Sequence, residues 1–255
     1  MEGAHASRPA LYDAIGVGYG GVRRPDPRIQ RRFHALLGSA SRVLNVGAGA
    51  GSYEPADRLV VAVDPSAAMI RQRSAGSGPA LRGLADGLPF ADGTFDGAMA
   101  SLTVHHWPDP FAGLAELRRV TRGPIVVFTF DKEVHEEQWL VTDYLPSMAE
   151  LDLQHPPAAT IAGALGGGVV EVVPIPHDCV DGFCHAWWRR PEAYLDPAVR
   201  AGISGIARLP SDVVDRAMAK LADDLASGAW HRAHWDLLAQ DEIDAGYRIV
   251  MADHR

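Results

Sequence analysis

The sequence VLNVGAGAG at residues 43–51, together with VVAVD at residues 60–64, decides the fold of this chain. Each stretch begins as a short apolar run rich in β-branched residues, which predicts a buried parallel strand. The first run breaks into alternating glycines, whose backbone can turn tightly and approach a ligand. The second run ends on Asp64, a carboxylate that can accept hydrogen bonds from a ribose diol at the carboxyl end of its strand. Together the two stretches predict a nucleoside-binding crevice in an open α/β sheet.

The spacing of the glycines and the acid limits the kind of nucleoside. A dinucleotide-binding loop has the pattern G-x-G-x-x-G and an acid about 20 residues further on. Here the pattern is G-x-G-x-G, Ser52 stands where the third dinucleotide glycine would be, and Asp64 comes sooner. A P-loop is excluded because no Gly-Lys-Ser/Thr follows, and no Lys or Arg follows closely to meet a pyrophosphate. The loop therefore favours S-adenosylmethionine over NAD.

Length and composition bound the class of protein. The 255 residues fit one large α/β domain, and contents of 47% hydrophobic and 22% charged residues are ordinary for a globular protein. A net charge of -8 argues against nucleic acid as the main partner. Two cysteines, Cys179 and Cys184, are too few for a disulfide framework. No apolar run reaches the roughly 18–20 residues of a membrane span, and residues 1–9 lack a signal-peptide pattern. We expect a cytoplasmic protein without nucleic-acid or membrane partners.

Strand and helix patterns alternate along the chain, which predicts βαβ units and a mostly parallel sheet. The predicted strands are 42–46, 59–63, 80–83, 95–102, 125–130, 169–173 and 246–251. The predicted helices between them are 28–37, with Asp26 as N-cap and Pro27 at its first position, 66–73 and 111–121. A mainly helical stretch from Phe183 to Gln240 contains four of the six tryptophans. These tryptophans either seal the stretch onto the sheet or line a hydrophobic pocket over the crevice, and the sequence leaves both roles open.

The chain resembles the class I S-adenosylmethionine-dependent methyltransferases, in particular the small-molecule branch related to quinone-biosynthesis and natural-product enzymes. The matching segments are the glycine loop at 43–51, VVAVDPS at 60–66, RGLADGLPF at 82–90, LTVHHWPD at 102–109 and, as a recurring cap motif, WWRRPEAYL at 187–195. The resemblance implies a Rossmann-like, open, mostly parallel seven-stranded sheet with helices on both faces, an antiparallel terminal strand and a helical cap before the last strand. The implied division is an N-terminal lid segment at 1–28, a cofactor-binding core at 29–182, a substrate cap at 183–240 and a terminal strand at 241–255.

The resemblance also implies which residues bind the cofactor. The glycine loop, with Gly47, Ala48, Gly49 and Gly51, would flank the methionine part and the ribose, and Asp64 would bind the ribose hydroxyls. The other implied cofactor-binding residues are Met69, Ala85 and Asp86 near the adenine, Ser101 and Leu102 beneath the sulfonium, and Tyr12 and Tyr19 of the lid. Two positions depart from the family pattern: Asn45 stands where the family usually has an acid, and Leu84 where many relatives have Asp beside the adenine.

His105 and His106 are the candidate catalytic residues. They lie just past the carboxyl end of the fourth predicted strand, where crevice residues lie in open α/β folds. An imidazole titrates near neutral pH, as a general base must. A base is needed only if the attacking atom carries a proton, so packing or orientation of the substrate is the alternative role for either histidine.

The segment HDCVDGFCH contains four residues of types that bind zinc: His177, Cys179, Cys184 and His185. Their spacing matches none of the usual C-x-x-C pairs, and methyl transfer does not require a metal. We expect no metal.

These observations predict an enzyme of secondary metabolism that transfers a methyl group from S-adenosylmethionine to a small apolar or aromatic metabolite, at O, N or C. The alternative is a methyltransferase-like fold that binds cofactor or substrate without methyl transfer, as a cyclase or an accessory protein, because a fold does not fix a reaction. A NAD-dependent dehydrogenase is a third reading. The sequence identifies neither the methyl acceptor nor the oligomeric state, for which a homodimer is one option.

Overall fold

Seven strands form one sheet in the computed structural model, which describes residues 12–13 and 23–253. In chain order they are β1 (Arg42–Val46), β2 (Leu59–Asp64), β3 (Ala80–Arg82), β4 (Gly97–Ser101), β5 (Ile125–Phe130), β6 (Val169–Val172) and β9 (Tyr247–Ala252). Their order across the sheet is β3-β2-β1-β4-β5-β9-β6, and β9 runs antiparallel to both of its neighbours. A separate pair joins β7 (Ile175–Pro176) to β8 (Glu242–Ile243). The predicted mostly parallel sheet with an antiparallel terminal strand is confirmed.

Helices connect the strands and form most of the chain between β7 and β8. They are α1 (Pro27–Leu36), α2 (Ala67–Ile70), α3 (Pro110–Val120), α4 (Lys132–Glu136), α5 (Ala158–Ala164), α6 (Pro197–Ala201), α7 (Ser204–Ala207), α8 (Ser211–Ala226) and α9 (Ala229–Ala233). As predicted, Asp26 caps α1 by accepting the backbone N–H of Arg28 at 2.9 Å. The α2 helix is shorter than predicted because its apolar positions end at Ile70. No helix in the described part of the chain is long and apolar enough to cross a membrane.

Both faces of the sheet are covered by apolar side chains. Val43 and Leu44 are adjacent in β1 but belong to different buried clusters, because successive side chains of a strand point to opposite faces. Leu44 packs on the side of α3 and α5, whereas Val43 packs on the side of α1. A strand covered on both faces is apolar along most of its length, which explains why the sequence of β1, β2, β4 and β5 shows apolar runs. The edge strand β3 is largely exposed.

A third apolar cluster joins the predicted cap to a segment that follows β5. Its members include Trp139 and Tyr144 from the post-β5 segment, and Tyr194 and Trp230 from the cap. The cluster therefore extends beyond the cap that the sequence delimits at 183–240. Trp188 and Trp230 are each 1% exposed and fill the interior, whereas Trp235 is 71% exposed.

Candidate functional site

The glycine loop leaves the carboxyl end of β1 and lies directly against the residues after β4. Gly47 has a φ of 69°, and a Cβ added there would lie 1.9 Å from Oγ1 of Thr103, so a side chain cannot be accommodated. The N–H groups of Gly47 and Ala48 both donate to the carbonyl of Val63, at 2.8 and 3.1 Å. The loop is thus bonded to β2 and packed against the chain after β4. The strand order reverses between β1 and β4, and open α/β sheets bind their ligands at such a point.

Asp64 ends β2 beside this loop and holds it in place. One carboxylate oxygen accepts the N–H of Gly49 at 2.7 Å, and the other accepts the N–H of Ser66 at 2.8 Å. The residue is only 7% exposed. Burial raises the pKa of Asp64, and the two backbone hydrogen bonds oppose that rise. Each carboxylate oxygen can accept a further hydrogen bond, so Asp64 can hold the loop and bind a ligand hydroxyl at the same time.

Three polar side chains, those of Asn45, Glu54 and Arg73, interact next to the glycine loop. Asn45 Nδ2 donates to Oε1 of Glu54 at 2.8 Å, and Arg73 forms two hydrogen bonds of 2.8 Å with the same carboxylate. Oδ1 of Asn45 is buried without a hydrogen-bond partner in the described part of the chain, so it offers a ligand an acceptor. Arg73 lies 3.1 Å from where a Cβ of Gly51 would be. The expectation that no cation lies near the glycines is therefore corrected: the chain after α2 brings Arg73 there, and Glu54 neutralises it.

The other predicted cofactor-binding residues lie in different environments. Met69 is buried in α2, with its Cε 3.2 Å from where a Cβ of Gly49 would be. Ser101 ends β4 at the same edge and Leu102 follows it with a φ of 48°, a strained backbone conformation for a side-chain-bearing residue. Ala85 is buried and packs towards α3, whereas Asp86 is exposed at the surface.

Tyr12 and Asp13 of the predicted lid connect both sides of the crevice. The carboxylate of Asp13 accepts hydrogen bonds from Oγ of Ser66 at 2.6 Å and from the N–H of Ala68 at 3.2 Å, and these contacts lower the pKa of Asp13. The hydroxyl of Tyr12 shares a hydrogen bond of 3.0 Å with Nε2 of His106. Asp13 was not among the predicted site residues, although its position next to Tyr12 in the lid segment indicated that it lies near the site. Tyr19 lies outside the described residues.

His105 and His106 occupy a short turn after β4, with their ring centroids 3.8 Å apart. The ring of His105 lines a cavity and contacts Phe130, with 5.1 Å between the ring centroids, whereas His106 turns to Tyr12. Burial lowers the pKa of His105 well below its usual range and that of His106 to about 4. Both rings are therefore neutral at pH 7, and Nδ1 of His105 is buried without a hydrogen-bond partner among the residues described.

The cavity beside His105 has a volume of about 80 Å³ and lies between the carboxyl edge of the sheet and the third apolar cluster. Its wall includes Leu102, Phe130, Phe183 and Tyr247. The wall also contains Lys132 and Glu136, which form an ion pair, so the pair adds no net charge to the cavity.

Further polar residues of the wall surround His135, which was not predicted from the sequence. His135, on α4, lines the cavity, and its ring centroid lies 4.0 Å from that of His185. Cys184 lines the cavity beside them. Burial lowers the pKa of His135 well below its usual range and that of His185 to about 3, and it raises the pKa of the Cys184 thiol to about 12. No local pattern marks His135, because tertiary packing alone brings α4 against residues 184–185.

Known proteins resemble this chain in sequence and in structure. A family model described as a methyltransferase domain matches residues 44–124. Demethylmenaquinone methyltransferases of Mycolicibacterium vanbaalenii and Renibacterium salmoninarum are 32% and 34% identical over 134 and 147 residues. These alignments cover 48% and 50% of this chain and 58% and 62% of the relatives, so the chain spans about three-fifths of the length of these curated relatives.

The structural similarity extends over nearly the whole chain. A protein of Anabaena variabilis, assigned as a methyltransferase from an antibiotic biosynthesis pathway, is 34% identical, with a TM-score of 0.85. The alignment covers 91% of this chain and 98% of that protein. Sequence similarity, strand order and the glycine loop with Asp64 thus agree, and the chain belongs to the class I S-adenosylmethionine-dependent methyltransferase family.

Proposed function

We propose that this chain transfers a methyl group from S-adenosylmethionine to a small apolar or aromatic metabolite, at an oxygen, nitrogen or carbon atom. The observation that carries the proposal is the position of the glycine loop and Asp64 at the same sheet edge as a cavity lined by His105. Bound cofactor would supply an activated methyl group on a sulfonium. The residues of the chain would then contribute binding, orientation and exclusion of water.

The residues around the glycine loop fit the cofactor. The side-chain-free surface at Gly47 leaves room for close approach, and Asp64 has acceptor capacity for ribose hydroxyls. The unpartnered Oδ1 of Asn45 suits a donor such as the ammonium of the methionine part, which makes an amide acceptable where the family usually has an acid. Because Glu54 neutralises Arg73, the loop has no free cation from that residue to attract a pyrophosphate.

Other residues are assigned to the cofactor by analogy with the family. We assign Met69, Ala85 and Asp86 to the adenine side, with Asp86 reaching it from the surface. Ser101 and Leu102 would line the side of the reacting sulfur, and Tyr12 and Tyr19 would belong to the lid. The proposed domains are the lid at 1–28, the core at 29–182, the cap at 183–240 and the terminal strand at 241–255.

The cavity is assigned to the acceptor. Phe130, Phe183 and Tyr247 give it aromatic walls, which suit a small apolar or aromatic ring. The curated relatives are named for methylation of demethylmenaquinone, which supports an aromatic acceptor, but they match only half of this chain. His105 faces the cavity as a neutral imidazole, so it can accept a proton from an acceptor or orient it.

Calorimetric titration and product analysis test the proposal together. We expect S-adenosylmethionine and S-adenosylhomocysteine to bind one per chain, and NAD not to bind. Incubation with S-adenosylmethionine and a panel of small phenols, aromatic amines and quinols should then yield S-adenosylhomocysteine and a product heavier by one methyl group, detected by mass spectrometry. Absence of cofactor binding contradicts the proposal. Tight cofactor binding with conversion of an acceptor to an unmethylated product would instead indicate a cyclase-like activity.

A further inference from the structure

His135, Cys184 and His185 form a cluster, and two of its members, His135 and Cys184, line the cavity. One ligand atom from each residue lies within 4.8 Å of the other two, and this is the one group of three such side chains found within residues 12–13 and 23–253. Cys184 and His185 are 9% and 1% exposed, so the packed interior holds both in place. The cluster includes two of the four zinc-type residues of the HDCVDGFCH segment, while His177 and Cys179 lie outside it.

The hydrogen bonds around the two imidazoles leave ring nitrogens free. Nε2 of His185 donates to the backbone carbonyl of His135 at 3.0 Å, so the neutral ring carries its proton there and keeps a lone pair on Nδ1. Metal-binding histidines commonly donate their other ring N–H to a backbone carbonyl in this way, which fixes the tautomer and the ring orientation. Nδ1 of His135 is buried without a hydrogen-bond partner in the part of the chain that the structure describes.

We propose that His135, Cys184 and His185 form a three-ligand site for a divalent cation of the zinc class, with a fourth position open to the cavity. Imidazole and thiolate are the ligands that zinc prefers, and three protein ligands with one open position are typical of catalytic zinc sites. His135 and Cys184 both line the cavity, so the open position faces it. The expectation of no metal rested on spacing within one segment, which cannot reveal a ligand contributed by α4.

Metal binding changes the protonation of one group and involves no electron transfer. The Cys184 S–H bond is replaced by a sulfur–metal bond, and the thiol proton passes to solvent. One thiolate and two neutral imidazoles leave the bound dication with one net positive charge. The neighbouring Lys132 is paired with Glu136, so that pair does not add to this charge. In a role that rests on the proposed function, the open position would bind an oxygen atom of the acceptor and lower the pKa of its hydroxyl.

Cobalt(II) is the probe for this site, because a cobalt–thiolate bond gives a charge-transfer band in the near ultraviolet. Chelator-treated protein is titrated with Co²⁺, and Zn²⁺ is then added to displace it. We expect one equivalent of Co²⁺ to bind with a thiolate band, and one equivalent of Zn²⁺ to abolish the band. His135→Ala and His185→Ala should each weaken Co²⁺ binding by at least about tenfold, because each removes a ligand.

The two cysteines provide a matched pair of variants. Cys184→Ser should lose the thiolate band, whereas Cys179→Ser, which alters the other buried cysteine, should keep it. The wild-type titration does not depend on the folding of any variant: absence of the band, or binding without one-to-one stoichiometry, overturns the proposal. A band that survives Cys184→Ser and disappears in Cys179→Ser also overturns it. Titration of the same metal-free protein with S-adenosylhomocysteine separates failure of the metal site from failure of the proposed function.

Discussion

Replacement of Gly47 by alanine tests whether the glycine loop is built around close contact with the chain after β4. At φ 69° an alanine is strained by about 1–2 kcal/mol. Its Cβ would also lie 1.9 Å from Oγ1 and 2.7 Å from Cβ of Thr103, so the loop must move, at an overpacking cost of about 1–3 kcal/mol. The reduced entropy of the unfolded chain returns about 0.4–1 kcal/mol. We therefore expect Gly47→Ala to lower the free energy of unfolding by about 2–4 kcal/mol.

Gly38→Ala is the matched control, because Gly38 has a similar φ of 53° but nothing within 4 Å of the added Cβ. It keeps the backbone strain without the collision, and we expect a loss of about 1 kcal/mol or less. Urea unfolding followed by circular dichroism measures both values. In the folded variants, affinity for S-adenosylhomocysteine should fall in Gly47→Ala and stay at the wild-type value in Gly38→Ala. Equal destabilisation by the two substitutions would refute the assignment of the extra cost to Thr103.

Three further predictions concern buried and half-buried polar groups. Asp181→Ala removes the carboxylate that binds Arg23 at 2.6 Å and Tyr53 Oη at 2.7 Å. In urea unfolding it should lower the free energy of unfolding by about 3–5 kcal/mol, whereas Tyr53→Phe should lower it by about 1 kcal/mol. The pKa of half-buried His106 falls from 6.5 to about 4 on folding, so the stability it contributes is complete above pH 6.5 and is lost as the pH falls towards 4. Urea unfolding across this pH range should show that the free energy of unfolding decreases by about 1–3 kcal/mol because of this residue. The decrease should be absent in His106→Gln. His105→Ala should reduce the turnover of acceptors that must lose a proton, measured by steady-state kinetics. Its affinity for S-adenosylhomocysteine, measured by calorimetry, should stay unchanged. Equal effects on turnover and affinity would contradict a role towards the acceptor.

Four of the parallel strands, β1, β2, β4 and β5, could be predicted because burial on both faces requires apolar runs. The bounds of β1 and β5 are those predicted, Arg42–Val46 and Ile125–Phe130. The β7–β8 pair was missed because strands of two residues have no periodic pattern. The cluster between the cap and residues 139–148 was also missed, because apolar positions in separate segments do not reveal which of them share an interior.

The relation of the glycine loop to Asp64 could be predicted because parallel neighbouring strands end at the same edge of the sheet. Contacts made by long side chains could not be predicted. Arg73 follows α2 in sequence, yet it reaches Gly51 and Glu54 because the chain folds back over the loop. His135 meets Cys184 and His185 only through the packing of α4 on the chain after β7, which no spacing rule describes.

Titration of S-adenosylhomocysteine into wild type, Asp64→Ala and Asp57→Ala tests the central claim most directly. Asp57 is an exposed carboxylate just before β2, so it controls for charge at the opposite end of the strand. We predict that Asp64→Ala weakens binding by about 1.5–3 kcal/mol, the value of hydrogen bonds to a charged group, and that Asp57→Ala has no effect. Circular dichroism confirms that each variant is folded. Unchanged affinity in folded Asp64→Ala would contradict the placement of the cofactor ribose at the carboxyl end of β2.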